Sequence, residues 1–547
     1  MNGLMQHWPL TTTTILEHAK REHGGREVVT RSIEGDIRRY GYADLHRRAL
    51  QVARALAASG VARGDRVATL AWNTDRHMEI WYGVMGSGAV CHTINPRLPL
   101  EQIAYIISHA ADRILFVEAG FLPLLAPLRT KWGNLQEIIV LTAAPEECPL
   151  SPRPLAYEQW LASSATGAAE WPALPEETAA TLCYTSGTTG HPKGVLYSHR
   201  SNVLHAMAIN MADGFGFRTR DVVLPIVPMF HANAWGTIFA APIAGAKLVL
   251  PGCRLDGASL WELLELERVT VTAAVPTVWL GLLRYLDESG RKLPHLERVL
   301  IGGSAVPRIM VERFERDFDV EVIHAWGMTE LSPVGTFGTS KSAYREKDEE
   351  VYMGRKLKQG RVPYTVELKV VDEAGTELPR DGAAQGELKA RGPAIVGQYY
   401  GEAQEATDAQ GWFATGDVAT IDPEGYMQIV DRSKDVIKSG GEWISSISLE
   451  NTALGCPQVA EAAVIAIPHE KWGERPLLLV VAKPGGHLDP QTVLAYMKER
   501  VAKWWVPDRV QLVSEIPHSG TGKIRKDLLR RWYAGPAREP SEQAQRE

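Results

Sequence analysis

The sequence predicts an α/β protein built mainly on parallel sheets, with a small β unit and then a small α+β unit after them. Three observations carry this. Short apolar runs alternate with helical patterns over 65–117 and again over 222–324, the rhythm of strands covered by helices. After about residue 351 the pattern becomes apolar–polar alternation between turn dipeptides, as in an antiparallel sheet with one solvated face. A compact charged break at 431–435 then separates two apolar runs.

The elements follow in order. Residues 67–71 read as a strand, 75–86 as a helix, 89–92 as a short strand, 100–109 as a helix and 114–117 as a strand. The segment 143–177 is rich in Ala, Pro, Ser and Glu and is expected to be a loose connection. Residues 178–183 are small and mostly apolar, a buried strand. Further strands are expected near 222–226, 246–250, 270–275, 298–301 and 320–324. The alternating runs 364–371 and 386–390, with turns at Asp381-Gly382 and Glu424-Gly425, make the β unit. Strands at 462–467, 477–482 and 509–514 and a helix at about 490–503 make the last unit. The expected boundaries are 1–431 for a large N-terminal domain, with parts at about 1–177, 178–350 and 351–431. A hinge at 432–436, a small domain at 437–533 and a polar, disordered tail at 534–547 follow.

A chain of 547 residues holds several units rather than one. A net charge of −6 gives no reason to expect nucleic acid or an anionic membrane as partner. The five cysteines, Cys91, Cys148, Cys183, Cys253 and Cys456, form no CxxC pair, which suits reduced thiols and indicates no zinc site. The most apolar long segment, 235–250, contains Pro242, Gly245 and Lys247 and is too short and interrupted to span a bilayer. The N-terminus has no basic region followed by an apolar core. A soluble cytoplasmic protein is expected; a homodimer is one of the oligomeric states left open.

Chemistry concentrates first in Tyr184–Gly194, YTSGTTGHPKG, directly behind the strand at 178–183. Its glycines allow close backbone approach and expose successive N–H groups. Ser186, Thr188 and Thr189 add hydroxyl donors and Lys193 a cation, a set that favours a polyanion such as a nucleoside triphosphate. A Walker loop would need Ser or Thr after the lysine, whereas Gly194 stands there. Gly302-Gly303-Ser304 follows one expected strand and Ala325-Trp326-Gly327-Met328-Thr329-Glu330 another, the place where open α/β sheets bind ligands. Glu330 is a hard oxygen donor of the kind Mg²⁺ shares with nucleotide phosphates; the competing role is a helix start capped by Thr329. Asp417 suits ribose hydroxyls, and Arg432 suits ribose or phosphate.

Together these strings resemble the acyl-adenylate-forming (AMP-binding) superfamily. The resemblance runs from about residue 30 to about 532, with all core motifs in order. CHTINPRLP, VPMFHANAWG and DRSKDVIKSGGEWIS are most similar to bacterial medium- and long-chain fatty acyl-CoA synthetases. It implies a large N-terminal part of two doubly wound α/β subdomains plus a small β-barrel-like unit, followed by a small mobile α+β C-terminal domain. It implies ATP, Mg²⁺ and coenzyme A as reactants and cofactors. Thr185, Ser186, Gly187, Thr188, Thr189, Gly190 and Lys193 are assigned to the ATP phosphates. Gly302, Gly303 and Ser304 are assigned to adenine, as are Ala325, Trp326, Gly327 and Met328. Thr329 goes to phosphate, Glu330 to the metal, and Asp417 and Arg432 to ribose. Lys523, in Pro517-His-Ser-Gly-Thr-Gly-Lys523, becomes the main catalytic residue of adenylation, with Thr185 and Glu330 beside it. Lys438, Ser439, Gly440, Gly441, Glu442 and Trp443 face CoA in the second half-reaction, after rotation about Lys434.

The acyl pocket is expected in 228–236, with His231 near the carboxylate, Trp235 as a gate and Gly302 along the acyl head. The residues after Trp235 are small and apolar, so an apolar acid is favoured over an amino acid. A medium-chain fatty acid is the first expectation; a short methylthio-alkanoate or an aryl acid fits the same pocket. The rivals are an adenylating enzyme that loads a carrier protein and a non-catalytic nucleotide-binding module.

Overall fold

The computed structural model describes residues 1, 3–128, 131, 133–142, 150, 154–163, 170–185, 191–341, 348–440, 442–483, 485, 488–518 and 523–533. Two large sheets organise the first two thirds. The first has seven strands in the order Leu155–Ala156, Glu137–Val140, Ile114–Val117, Arg66–Leu70, Val90–Thr93, Ala179–Tyr184, Gly194–Ser198. All its pairs are parallel except the last. The chain leaves Arg66–Leu70 first to one side and then to the other, the doubly wound arrangement that opens a crevice at the strands' carboxyl ends. The second sheet has eight strands. Its parallel centre, Glu321–Gly327, Arg298–Gly302, Val271–Ala274, Val222–Pro225, Lys247–Leu250 and Glu27–Arg31, is bounded by the antiparallel strands Val334–Phe337 and Ile37–Gly41.

Every strand expected in these stretches is present within a residue or two, except that Glu321 opens a strand reaching Gly327. The expected division at 177/178 is corrected. Ala179–Tyr184 and Gly194–Ser198 complete the first sheet, while Glu27–Arg31 crosses into the second through Val28 opposite Leu248. Local periodicity identifies a strand but says nothing of its partner, so sheet membership could not follow chain order. The loose connection expected over 143–177 is corrected too. Leu155–Ala156 is a strand, and helix Tyr157–Ala162 buries Tyr157, Trp160 and Leu161. Residues 143–149, 151–153 and 164–169 lie outside the described ones.

One core joins the two sheets: Val67, Cys91 and Phe116 of the first and Val223, Leu248 and Leu300 of the second belong to the same apolar cluster. Helices Thr12–His23, Tyr42–Ala58, Asp75–Ser87 and Thr237–Ala244 contribute to it. The β unit is an antiparallel meander of Glu367–Val371, Gly386–Arg391, Phe413–Ile421 and Met427–Arg432, whose first and last strands do not pair, so it is not closed as a barrel; Met427 is bridged by Gly360 instead. Its turns use Gly382 at φ 76° and Gly425 at φ 87°. The last unit is a five-stranded sheet with helices Ser446–Leu454, Pro490–Lys498 and Lys526–Tyr533; the helix expected to reach 503 stops at Lys498. The tail 534–547 lies outside the described residues.

Helices Tyr42–Ala58 and Asp75–Ser87 touch where Gly83 faces Val52: a Cβ at Gly83 would stand 2.5 Å from Val52 Cβ and 2.8 Å from the Ala49 carbonyl oxygen. Overpacking of this kind costs about 1–3 kcal/mol. Gly83→Ala should lower the urea midpoint without changing the slope, measured by circular dichroism.

Candidate active site

The carboxyl ends of both sheets and the β unit converge on one region. Gly302 lies opposite Ala325 in adjacent parallel strands, and the strand carrying Ala325 continues through Trp326 to Gly327. A Cβ at Gly302 would sit 2.6 Å from the Ala325 carbonyl oxygen and 3.2 Å from the Trp235 ring, so only glycine leaves this strip flat. Gly303 is left-handed at φ 85° and, like Ser304, exposed. Met328 is half-buried and Thr329 buried; Thr329–Leu331 is one short turn without a side-chain cap, so Thr329 does not serve as a helix cap. The Thr329 carbonyl accepts a 2.6 Å bond from Tyr197 Oη.

The mouth of the phosphate-loop candidate is closed by Thr185 N donating to the Lys193 carbonyl (2.9 Å) and Lys193 N donating to Thr185 Oγ1 (3.4 Å). Ser186, Gly187, Thr188, Thr189 and Gly190 lie outside the described residues. Lys193 Nζ rests 4.7 Å over the Tyr399 ring, and Tyr399 Oη donates to Glu330 Oε1 at 2.9 Å. Tyr399 therefore ties the loop's cation to the candidate metal carboxylate. Burial raises the Glu330 carboxyl above its ordinary value, against the Tyr399 bond and the charges of Arg432 and Lys523.

Asp417 is buried, with each oxygen engaged: Trp326 Nε1 donates to Oδ2 at 3.0 Å and Arg432 Nε to Oδ1 at 2.8 Å. The Arg432 contact follows from register, since Asp417 and Arg432 are cross-strand partners. Each carboxylate oxygen keeps acceptor capacity for a hydroxyl. Lys523 reaches this cluster from the end of the chain. Burial and the Arg432 guanidinium push its ammonium down to about 8, against the pull of Asp417 and Glu330. His231 is half-buried and neutral, its pKa lowered to about 4 by burial and by Lys523. Asp417, Arg432, Glu330 and His231 thus each interact electrostatically with Lys523.

On the acyl side the backbone is unusual. Ala232, Asn233, Ala234 and Trp235 are all left-handed, with φ between 44° and 55°, and Gly236 follows at φ 75°. Each such non-glycine residue costs roughly 1–2 kcal/mol, so the surroundings must hold the turn. Asn233 does so by donating to Asn202 Oδ1 (3.1 Å) and Thr181 Oγ1 (3.3 Å). Thr237 Oγ1 donates to the Ala234 carbonyl at 2.7 Å. His205, which accepts from Val334 N at 3.0 Å, fills the space beside Gly236. The turn delivers the half-buried Trp235 ring onto Gly302.

The Lys438–Trp443 segment is placed apart from this cluster. Ser439 pairs with Gly473, Gly440 N donates to the Trp472 carbonyl (2.8 Å), and Lys438 Nζ lies 5.6 Å from the Trp443 ring. Gly441 lies outside the described residues, and Glu442 opens the strand Glu442–Ile444. Lys434 stands between the Arg432 site and the small unit, its pKa lowered mainly by burial.

Sequence reasoning passed over Tyr399, Tyr197, His205 and Asn233. The first two are reached only through distant pairing, including the bridge of Gly194 to Tyr400. Asn233 carried the one available signal, since asparagine tolerates the left-handed region better than most residues.

This fold and site define an adenylate-forming enzyme, and the chain belongs to the AMP-binding enzyme family. The family model matches residues 16–400, and the model of the AMP-binding enzyme C-terminal domain matches residues 448–523. The chain is 46% identical to a medium-chain-fatty-acid–CoA ligase of Ectopseudomonas oleovorans, covering 97% of this chain and 98% of the relative. It is likewise 46% identical to a 3-methylmercaptopropionyl-CoA ligase of Ruegeria lacuscaerulensis, over 97% of this chain and 98% of the relative. Identity to a long-chain-fatty-acid–CoA ligase of Thermus thermophilus is 47%, over 95% and 94% of the two chains. Among solved structures, an anthranilate CoA ligase in complex with anthranoyl-AMP superposes with a TM-score of 0.85 at 25% identity, covering 96% of this chain and 98% of that one.

Two outcomes are expected. Lys523 is charged below about pH 8 and loses its proton above it, so kcat/KM for adenylation should fall about tenfold per pH unit on the alkaline side if the ammonium is required. That limb should vanish in Lys523→Ala; a limb unchanged in the variant would assign it to another group. Gly236→Ala should raise KM for the acid by about tenfold or more while KM for ATP stays near wild type, because its Cβ would meet His205 Nδ1 at 2.7 Å.

Proposed function

We propose that the protein is an ATP-dependent acyl-CoA synthetase, an acid–thiol ligase forming AMP and pyrophosphate, whose first substrate is a medium-chain fatty acid. The observation that carries this reading is Lys523, seated from the far end of the chain among Asp417, Arg432, Glu330 and His231. In the first half-reaction a carboxylate oxygen of the acid attacks the α-phosphorus of ATP. A C–O–P bond forms, the bond to pyrophosphate breaks, and acyl-AMP results. The Lys523 ammonium stabilises charge on the oxygens around phosphorus as this happens. Asp417 accepts from the ribose hydroxyls, Arg432 lies along ribose and α-phosphate, and Thr185 with Lys193 holds the departing pyrophosphate. His231, being neutral, leaves the acid's carboxylate without a competing counter-charge.

Mg²⁺ would be held by Glu330 with the phosphates supplying the remaining ligands. The residues fit this: Glu330 is a buried carboxylate whose Oε1 accepts from Tyr399, a hard oxygen donor of the kind Mg²⁺ shares with nucleotide phosphates. The ion would offset phosphate charge when bound. In the second half-reaction the small unit turns about Lys434 and presents Lys438–Trp443, and the CoA thiol then displaces AMP. Among the described residues no helix is long and apolar enough to cross a membrane. The free thiols Cys91, Cys183, Cys253 and Cys456 support a reducing compartment such as the cytoplasm.

A second reading, a short methylthio-alkanoate, is favoured by the equal identity of the 3-methylmercaptopropionyl-CoA ligase. Each buried methylene is worth about 0.8 kcal/mol, roughly fourfold in affinity, so a CoA-dependent AMP-release assay across short, medium, long and aromatic acids separates the two. Release that peaks at medium chain length supports the first reading, and a peak at the short methylthio acid supports the second. Lys523→Ala should abolish pyrophosphate–ATP exchange yet spare thioester formation from supplied acyl-AMP; equal loss of both half-reactions would overturn the assignment.

A further inference from the structure

A second buried ionic cluster lies beside the first and belongs to none of the roles above. Asp431, the residue before Arg432, ends the β unit with its side chain buried. Its Oδ2 accepts from both Ser446 N and Ser446 Oγ, each at 2.6 Å. Ser446 opens helix Ser446–Leu454 of the small unit and is fully buried. The same Ser446 Oγ accepts from Lys526 Nζ at 2.6 Å, and Lys526 Nζ pairs with Glu450 Oε1 at 2.7 Å. Glu450 in turn accepts from Val464 N at 2.8 Å. Two neighbouring contacts reinforce the seam: Ser445 Oγ donates to the Val430 carbonyl, and Arg530 pairs with Asp435.

The cluster bridges the two units on either side of Lys434. Asp431 and Val430 are on the last strand of the β unit; Ser445, Ser446, Glu450 and Lys526 are in the small unit. Lys526 opens the helix Lys526–Tyr533, three residues after Lys523, the residue seated in the ATP site. A buried ammonium between two buried carboxylates tolerates little displacement, because either partner left alone would be an uncompensated charge. Glu450 anchors Lys526 within the small unit whatever that unit's orientation. The Ser446 bridge to Asp431 exists only while the small unit faces the ATP site as it does here.

We propose that Lys526 is a positioning residue for adenylation: through Ser446 it locks the small unit onto Asp431, and so presents Lys523 to the α-phosphate. The inference rests on the two-half-reaction reading, in which the small unit must leave this orientation before CoA attacks. The lock is then broken at Asp431–Ser446 and kept at Lys526–Glu450 during turnover.

The test uses the full-length enzyme with the preferred acid from the AMP-release assay, and measures each half-reaction alone. Lys526→Met and Ser446→Ala are compared with wild type and with Lys523→Ala. Pyrophosphate–ATP exchange should fall about tenfold or more in Lys526→Met and about fivefold in Ser446→Ala, with thioester formation from supplied acyl-AMP within about twofold of wild type in both. A residue that merely props the fold would lower both half-reactions together with thermal stability. Parallel loss in both variants, or unchanged exchange in both, overturns the proposal. Should Lys526→Met fail to fold, as circular dichroism would reveal, Ser446→Ala decides alone, since it removes one oxygen and keeps the Lys526–Glu450 pair. Lys523→Ala distinguishes the two readings: if it separates the half-reactions and the other variants do not, only the lock is wrong. If Lys523→Ala itself shows no separation, the parent reading fails first.

Discussion

The burial of Asp417 is the constraint on which the site depends. A carboxylate removed from water is costly unless charged or hydrogen-bonding partners meet it. Here the partners come from three places: Trp326 at the carboxyl edge of the second sheet, Arg432 on the neighbouring strand of the β unit, and Lys523 from the far end of the chain. One buried charge therefore obliges separately folded parts to meet. The same arrangement lowers the Lys523 ammonium toward neutrality, because burial and Arg432 oppose it while Asp417 and Glu330 hold it.

Around this point the structure favours rigid supports. Gly302 and Ala325 are aligned by parallel register, so the flat strip beneath Trp235 is as stiff as the sheet. The four-residue left-handed turn at Ala232–Trp235 is held by Asn233, Thr237 and His205. Backbone held in such an unfavourable region by its neighbours is typical of ligand-handling segments. The seam at Asp431, Ser446 and Lys526 is of another kind, since its hydrogen bonds join two units whose relative placement the chemistry must change.

Legibility in the sequence followed the range of the interactions. The strands at 114–117, 222–225 and 298–302 and the helix at 75–87 were readable because burial imposes its period on successive residues. The fold class was readable from the same alternation, and the family from YTSGTTGHPKG and the motifs after it. Tyr399 was not, because nothing local links it to Glu330 sixty-nine residues earlier. The helix at Tyr157–Ala162 was hidden by the loop-like composition on both sides of it.

The sequence by itself determined the alternation of strands and helices over 65–117 and 222–324, which residue types could bind a nucleotide, and which family the chain resembles, since these depend on neighbours along the chain. Tertiary structure alone decided that Glu27–Arg31 crosses into the second sheet, that the strands at 179–198 complete the first, and that the β unit stays open. It also decided that Lys193, in the first half of the chain, shares its site with Lys523 through Tyr399, Glu330 and Asp417. The physical reason is the same throughout: periodicity records whether a residue is buried, and only packing records against what.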